Sequence, residues 1–310
     1  MALTKKQAND IANKINEKLI RVSFLAKGNH NKTYFFETDK RKYVLRIENN
    51  PMFKNLKKEY KLLKSIEKLG VAPKVFLLDT SHKIIKTDYF LEEFIPGIHP
   101  KRKVSKTFVI LMANWFKKLH SYKVSEKPDC CNKGYFSLSC AIKPYYKNVK
   151  KYSYALTPKL LEEVDILLGY AVKICKKEDK LFSNYKKFSI LHRDPSKDNI
   201  LIKGKKVILI DWEFSSFGLP EWELVYFLQS YKFGKSQREL FLKTYGYSNN
   251  KKAMTRLKIL SLLNICGDVG YSVWRLGLLE KKEIKENKKE RLNRLKRDIK
   301  ILRTIVEELK

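Results

Sequence analysis

Cysteine is scarce and unpatterned in this chain of 310 residues: Cys130, Cys131, Cys140, Cys175 and Cys266 are odd in number and include no C-x-x-C pair. With no histidine at ligand spacing, neither a disulfide framework nor a zinc site is indicated. Cys175 and Cys266 fall in apolar helical stretches and read as core. Long apolar runs are also missing, and none approaches the roughly 18 residues of a membrane span. The opening MALTKKQANDIANKINEKLI lacks the pattern of a signal peptide. Thr4 with Gln7 forms a capping box there, and Ala8, Ile11, Ala12, Ile15 and Leu19 line one face of an expected helix. A folded cytoplasmic protein is the expectation. Acid is in short supply, with 33 Asp and Glu against 66 Lys and Arg, a net charge of +33. A hydrophobic content of 44% excludes wholesale disorder.

The basic surplus is uneven. Residues 280–310 carry twelve basic and seven acidic side chains, an ordinary solvated helix face. Residues 101–151 carry thirteen basic side chains against Glu126 and Asp129, interleaved with Tyr122, Tyr135, Phe136, Tyr145 and Tyr146. Such a stretch is either solvated lysine over a partly buried aromatic face or a grip on nucleic acid or another anionic surface. No base-recognition motif accompanies it, so the sequence favours the first reading.

What is present is concentrated in residues 189–210, SILHRDPSKDNILIKGKKVILI, followed at once by Asp211-Trp212-Glu213. His192, Asp194 and Asn199 stand in the order H-x-D-x-x-x-x-N. Three short apolar runs predict strand, loop, strand, tight turn, strand, with Asp194 and Asn199 on the loop and Asp211 at the last strand's end. That arrangement suits phosphoryl transfer from ATP, where the protein positions an acceptor hydroxyl and holds Mg²⁺. Asp194 is the expected catalytic base. Asn199 and Asp211 offer the hard oxygen donors that Mg²⁺ requires. His192 is expected to brace the loop.

Around this segment the chain divides by pattern. Strands are expected over 21–27, 33–38, 42–47, 74–79 and 88–94, with a helix over 54–69 stopped by Gly70. Ile95-Pro96-Gly97-Ile98-His99-Pro100 is the clearest linker. Helices then dominate, over 106–120, 158–175, 221–231, 237–245, 252–277 and 281–309. The expected fold is α+β and two-lobed, like a protein kinase: a small antiparallel-sheet lobe over 1–95 and a mainly helical lobe over 96–310.

Several motifs together resemble the aminoglycoside phosphotransferase and choline kinase family, with bacterial-type choline kinases nearest. KGNHNKTYFF at 27–36 is similar to its glycine-rich loop, YVLRI at 43–47 to its third strand, and LEEFIPG at 91–97 to its hinge. IDWEFSSFGLPEWEL at 210–224 resembles its metal-binding strand end and the helix after it. Departures are Lys27 at the loop's first glycine, Arg46 where lysine is common, Arg193 and Pro195 beside Asp194, and Glu223 in place of aspartate. The resemblance implies a kinase using ATP and Mg²⁺. It implies that Gly28 and Asn31 shape the loop over the phosphates, and that Arg46 contacts phosphates while pairing with Glu59. It further implies that the backbone of Glu93 and Ile95 receives adenine.

The expected acceptor is a small hydroxyl compound such as choline, ethanolamine or a related amino alcohol. Candidate contacts are Trp212, Glu213, Asp268, Tyr271 and Trp274, the last three on one face of an apolar helix. Acid with aromatic rings is what a cationic alcohol needs. Aminoglycosides, thiamine and sugars are the alternatives, since the family keeps its ATP machinery and varies the acceptor site. A +33 surface does not attract cations at long range. A nucleic-acid-associated protein using 101–151 is the second class of reading.

Overall fold

The computed structural model describes residues 3–28, 31–49, 56–101, 104–122, 124, 136–183, 188–231 and 233–310. Its first half holds α1 (Lys5–Lys14), β1 (Leu19–Lys27), β2 (Asn31–Thr38), β3 (Lys42–Glu48), α2 (Leu56–Ile66), β4 (Val75–Asp79), β5 (Tyr89–Glu93) and α3 (Lys106–His120). There follow α4 (Leu138–Ala141), α5 (Lys143–Lys151), α6 (Pro158–Glu178), α7 (Lys180–Ser183), β6 (Ser189–Leu191), β7 (Ile200–Lys203), β8 (Lys206–Leu209) and β9 (Ser216–Gly218). The chain closes with α8 (Pro220–Ser230), α9 (Lys235–Tyr245), α10 (Lys251–Glu280) and α11 (Lys288–Leu309). This is the expected α+β class. Two compact units result: Met1–Tyr122 with His192–Ser215, and Lys123–Leu191 with Ser216–Lys310. Among the described residues no helix is long and apolar enough to cross a membrane.

The first unit is built on an antiparallel sheet of order β1-β2-β3-β5-β4. Side chains alternate across it with period two. Tyr34, Phe36, Tyr43, Leu45, Tyr89 and Leu91 form one buried face with Ala8, Ile11 and Ala12 of α1. The Thr4–Gln7 capping box starts that helix. The helix ends earlier than its apolar spacing predicts, because Ile15 caps it and Asn16 takes a left-handed φ of 56°. Leu19 therefore opens β1. Arg46 and Phe90 are cross-strand partners on β3 and β5, and the Tyr60 ring of α2 meets Phe90 edge-on at 6.0 Å.

After β5 the chain pairs with the β7–β8 hairpin: Ile98 and Ile202 exchange N–H···O bonds of 3.0 and 2.9 Å. Gly97 makes this approach feasible, since a Cβ there would lie 3.0 Å from Leu201 Cβ and 3.2 Å from the Ile202 carbonyl.

The second unit is helical around α10, whose Leu260, Leu263, Cys266, Val269, Val273 and Leu276 are buried. Gly277 leaves room for the Tyr152 ring, which would stand 2.3 Å from an added Cβ. Cys175 and Cys266 are wholly buried; burial pushes the Cys175 thiol up to about 12, which leaves it inert. Helices α4 and α5 lie within the basic stretch, where the sequence pattern predicts no helix. Phe136, Leu138, Ile142 and Val149 are core, Tyr145 and Tyr146 pack against it, and Lys150 sits 4.8 Å over the Tyr146 ring. These aromatics face inward, as the solvated-lysine reading requires. Cys130, Cys131, Tyr135 and most of 123–135 lie outside the described residues, as do Asn29 and His30. Helix α11 begins at Lys288 rather than 281, because Lys282 turns to a φ of 57° and Asn287 caps the helix through Glu290 N–H.

Candidate active site

Arg46 is the centre of the first unit's polar cluster. It is 4% exposed, so its charge needs partners on the spot. Its Nη1 donates to Glu59 Oε1 of α2 and its Nη2 to Asp211 Oδ1 at 2.8 Å. The Phe90 ring lies 5.5 Å from the guanidinium carbon. Glu59 Oε1 also accepts the Trp212 backbone N–H at 2.9 Å. One carboxylate thus fixes both the arginine and the chain just past β8.

Carboxylates outnumber cations here. Burial pushes Glu59 up to about 7, against the pull of Arg46. Glu92, buried on β5, rises to about 8 through burial, with Glu59 and Asp211 adding to the rise. Glu213 rises to about 8 through burial and the Asp211 charge. Glu59 Oε2 and Glu92 Oε2 are buried without a hydrogen bond among the described residues. The motifs do not single out Glu92; the Glu92-Glu93 pair closing an otherwise apolar β5 was the available signal, since strand alternation turns one of the two inward.

The loop between β6 and β7 is braced from within. His192 is wholly buried; its Nε2 bonds the Ile210 carbonyl at 3.0 Å and its Nδ1 accepts the Asp194 N–H at 3.3 Å. That pair of bonds requires the proton on Nε2. Asn199 Nδ2 donates to Asp194 O at 3.1 Å and Oδ2 at 2.8 Å, and its own Oδ1 makes no hydrogen bond among the described residues. Burial raises the Asp194 carboxyl above the usual range, with the Asp211 charge adding to the rise and the Asn199 amide bond opposing it. Arg193 and Asp211 both adopt left-handed φ, 71° and 64°. Such backbone is uncommon outside glycine and concentrates at functional positions.

The remaining candidates fare differently. Asn31 Nδ2 donates to Glu213 Oε2 at 3.2 Å. Gly28 N–H bonds the Asn31 carbonyl at 2.9 Å, and among the described residues an added Cβ would meet that oxygen at 3.6 Å, an ordinary contact. Glu93 N–H is taken by the Lys74 carbonyl at 2.8 Å, whereas Ile95 N–H has no partner among the described residues.

Trp212 corrects an expectation. It is fully buried against Trp115 and His192, and its Nε1 donates to the Leu209 carbonyl at 2.8 Å, so the ring is core and presents no face to a substrate. Asp268, Tyr271 and Trp274 lie in the second unit on the α11 side of α10, and their surroundings weaken the cation-site expectation. Asp268 is not isolated: Arg294 lies 3.7 Å away, and burial with neighbouring Asp298 raises it to about 6. The Arg275 guanidinium sits 5.7 Å from the Trp274 ring and Arg291 5.4 Å from Tyr271. These aromatic faces already carry the protein's own cations.

The chain matches the phosphotransferase enzyme family over residues 21–260. It belongs to that family and is a phosphotransferase. A LicA homolog of Metamycoplasma hominis is 23% identical over 216 residues, covering 64% of this chain and 85% of that protein. The choline kinase LicA of Streptococcus pneumoniae superposes with a TM-score of 0.68 at 18% identity, covering 97% of this chain and 99% of the other. The Plasmodium vivax ethanolamine kinase gives 0.68 at 16% identity, with 92% and 84% covered. The ADP-bound aminoglycoside phosphotransferase APH(2'')-Ib gives 0.64 at 18% identity, with 99% of each chain covered. These similarities establish a kinase-like fold.

Proposed function

We propose that this phosphotransferase moves the γ-phosphoryl group of ATP to the hydroxyl of a small molecule, with Asp194 as the catalytic base. The observation that carries the reading is the Asn199 amide bond to Asp194 Oδ2. It holds the carboxylate on a braced loop and leaves its other oxygen open to an acceptor. In the transfer the acceptor oxygen bonds phosphorus, the bond to ADP breaks, and the hydroxyl proton passes late to Asp194. Asn199 Oδ1 and Asp211 Oδ2 are the oxygens offered to Mg²⁺. The donor set fits: both are hard oxygens without protein hydrogen bonds among the described residues, and Glu59, Glu92, Asp211 and Glu213 surround a single arginine. Among the described residues no three His, Cys, Asp or Glu converge as a metal cage, which suits an ion that keeps waters and phosphate oxygens as ligands. When bound, Mg²⁺ neutralises phosphate charge. Arg46 orients the phosphates, Gly28 and Asn31 shape the turn over them, and Ile95 N–H with the Glu93 carbonyl meets adenine.

The acceptor we favour is an amino alcohol such as choline or ethanolamine, a reading supported by the LicA and ethanolamine kinase similarities rather than by the α10 aromatics. ATP consumption measured over choline, ethanolamine, aminoglycosides, thiamine and sugars tests it. Asp194→Asn keeps an oxygen for the Asn199 bond but loses the base, so turnover on the identified acceptor should fall by about 10²–10⁴-fold, with KM for ATP within a few-fold. A variant retaining more than about a tenth of turnover would refute the assignment.

A further inference from the structure

The second unit contains a groove of about 610 Å³ between α6 and α11 that phosphoryl transfer does not use. Its volume is that of a small-molecule pocket. Ala155, Leu160, Leu292 and Ile299 give it an apolar lining, and the exposed Lys159, Lys296 and Lys300 also line it. On α11 the residues Leu292, Lys296, Ile299, Lys300 and Arg303 recur at helical spacing, so one face supplies both characters.

The charge is one-sided. Arg303 pairs with Glu163 across the groove, and Lys288 pairs with Glu280. Lys159, Lys296 and Lys300 are exposed and make no ion pair among the described residues. An apolar channel with three uncompensated ammonium groups rejects cations and gives a small inorganic anion nothing to do with its lining. We propose that this groove binds a single-chain anionic amphiphile, its alkyl chain along Leu160, Leu292 and Ile299 and its phosphate or carboxylate head among the three lysines. Lysine suits this position, since its methylene stem covers apolar surface while the ammonium reaches the head.

Calorimetric titration of the full chain with decyl, dodecyl and tetradecyl phosphate, each below its micelle concentration, tests the idea. Saturable one-to-one binding is expected, tightening about fourfold per added methylene, as burial of each CH₂ dictates. The double variant Lys296→Gln/Lys300→Gln, at exposed positions, should bind dodecyl phosphate at least tenfold more weakly, because charged hydrogen bonds are lost. Leu292→Glu, which places a carboxylate on the lining, should weaken it as well. The proposal is overturned if dodecyl maltoside or inorganic phosphate binds as tightly, if chain length has no effect, or if the lysine variant binds unchanged. Binding to phosphatidylglycerol vesicles without binding to the monomeric phosphates overturns it too.

Discussion

Replacing Glu59 separates the structural from the nucleotide-handling role of the arginine cluster. In Glu59→Ala two bonds vanish together, one from Arg46 Nη1 and one from the Trp212 N–H at 2.9 Å. Breaking a buried ion pair costs about 3–5 kcal/mol, and an orphaned buried N–H about 1–3 kcal/mol. Two features pull the total down. Asp211 stays 2.8 Å from the guanidinium, and deletion also removes the unpartnered Glu59 Oε2. A loss near 3 kcal/mol is therefore expected, which at about 2–4 °C per kcal/mol lowers Tm by roughly 6–12 °C. Glu59→Gln differs, because an amide oxygen still accepts both bonds. It gives up only charge assistance, about 1 kcal/mol, in a site with surplus negative charge, so its Tm should stay within about 4 °C. Its KM for ATP should nonetheless rise several-fold, since Arg46 is then held less firmly. Melting curves with and without ATP and Mg²⁺, beside KM for ATP, read both quantities. Glu59→Ala melting with the wild type would refute the argument, as would Glu59→Gln melting as low as Glu59→Ala.

Asp211→Ala should abolish most of the thermal shift that ATP with Mg²⁺ gives, because a hard anionic ligand is lost; an unchanged shift reduces Asp211 to a backbone feature. Trp274→Ala should lower Tm yet leave KM for acceptor and ATP within about twofold, since its ring is covered by Arg275; a selective rise in acceptor KM restores the α10 site. Glu92 and Glu213, at about 8, bind more protons folded than unfolded between about pH 4.5 and 8. Their contribution to stability must therefore fall as pH rises through that window, and Glu92→Gln should flatten the metal-free Tm profile there. Asp79, whose carboxyl accepts from Lys14 and Tyr89, is held well below its ordinary value by those bonds despite its burial. Its contribution is present above about pH 4, the unfolded value, and is lost on acidification, so Asp79→Asn should be destabilised at pH 7 and approach wild-type stability at low pH.

What was legible in the sequence and what was not divide along a physical line. Strand alternation and helix caps are local, so β1 to β5, α3 and α6 fall within a few residues of their expected bounds. The spacing of His192, Asp194, Asn199 and Asp211 is local as well, because one loop and one hairpin carry all four. Trp212 is different. Its place depends on Trp115, nearly a hundred residues earlier, and on His192; nothing in Asp-Trp-Glu distinguishes a ring turned into the core from one turned toward substrate. The same limit applies to Asp268, Tyr271 and Trp274. Helical periodicity puts them on one face, but the groups opposite that face sit on α11. In the sequence those groups, Arg291, Arg294 and Asp298, belong to what looks like a solvated charge run. Helices α4 and α5 were hidden by composition, since lysines and Pro144 obscured an apolar stripe through Leu138, Ile142 and Val149. A charge pattern fixes only what faces water, and the cation that fills a given aromatic face is decided by packing. The acceptor is therefore better sought by direct assay than by extending the α10 face.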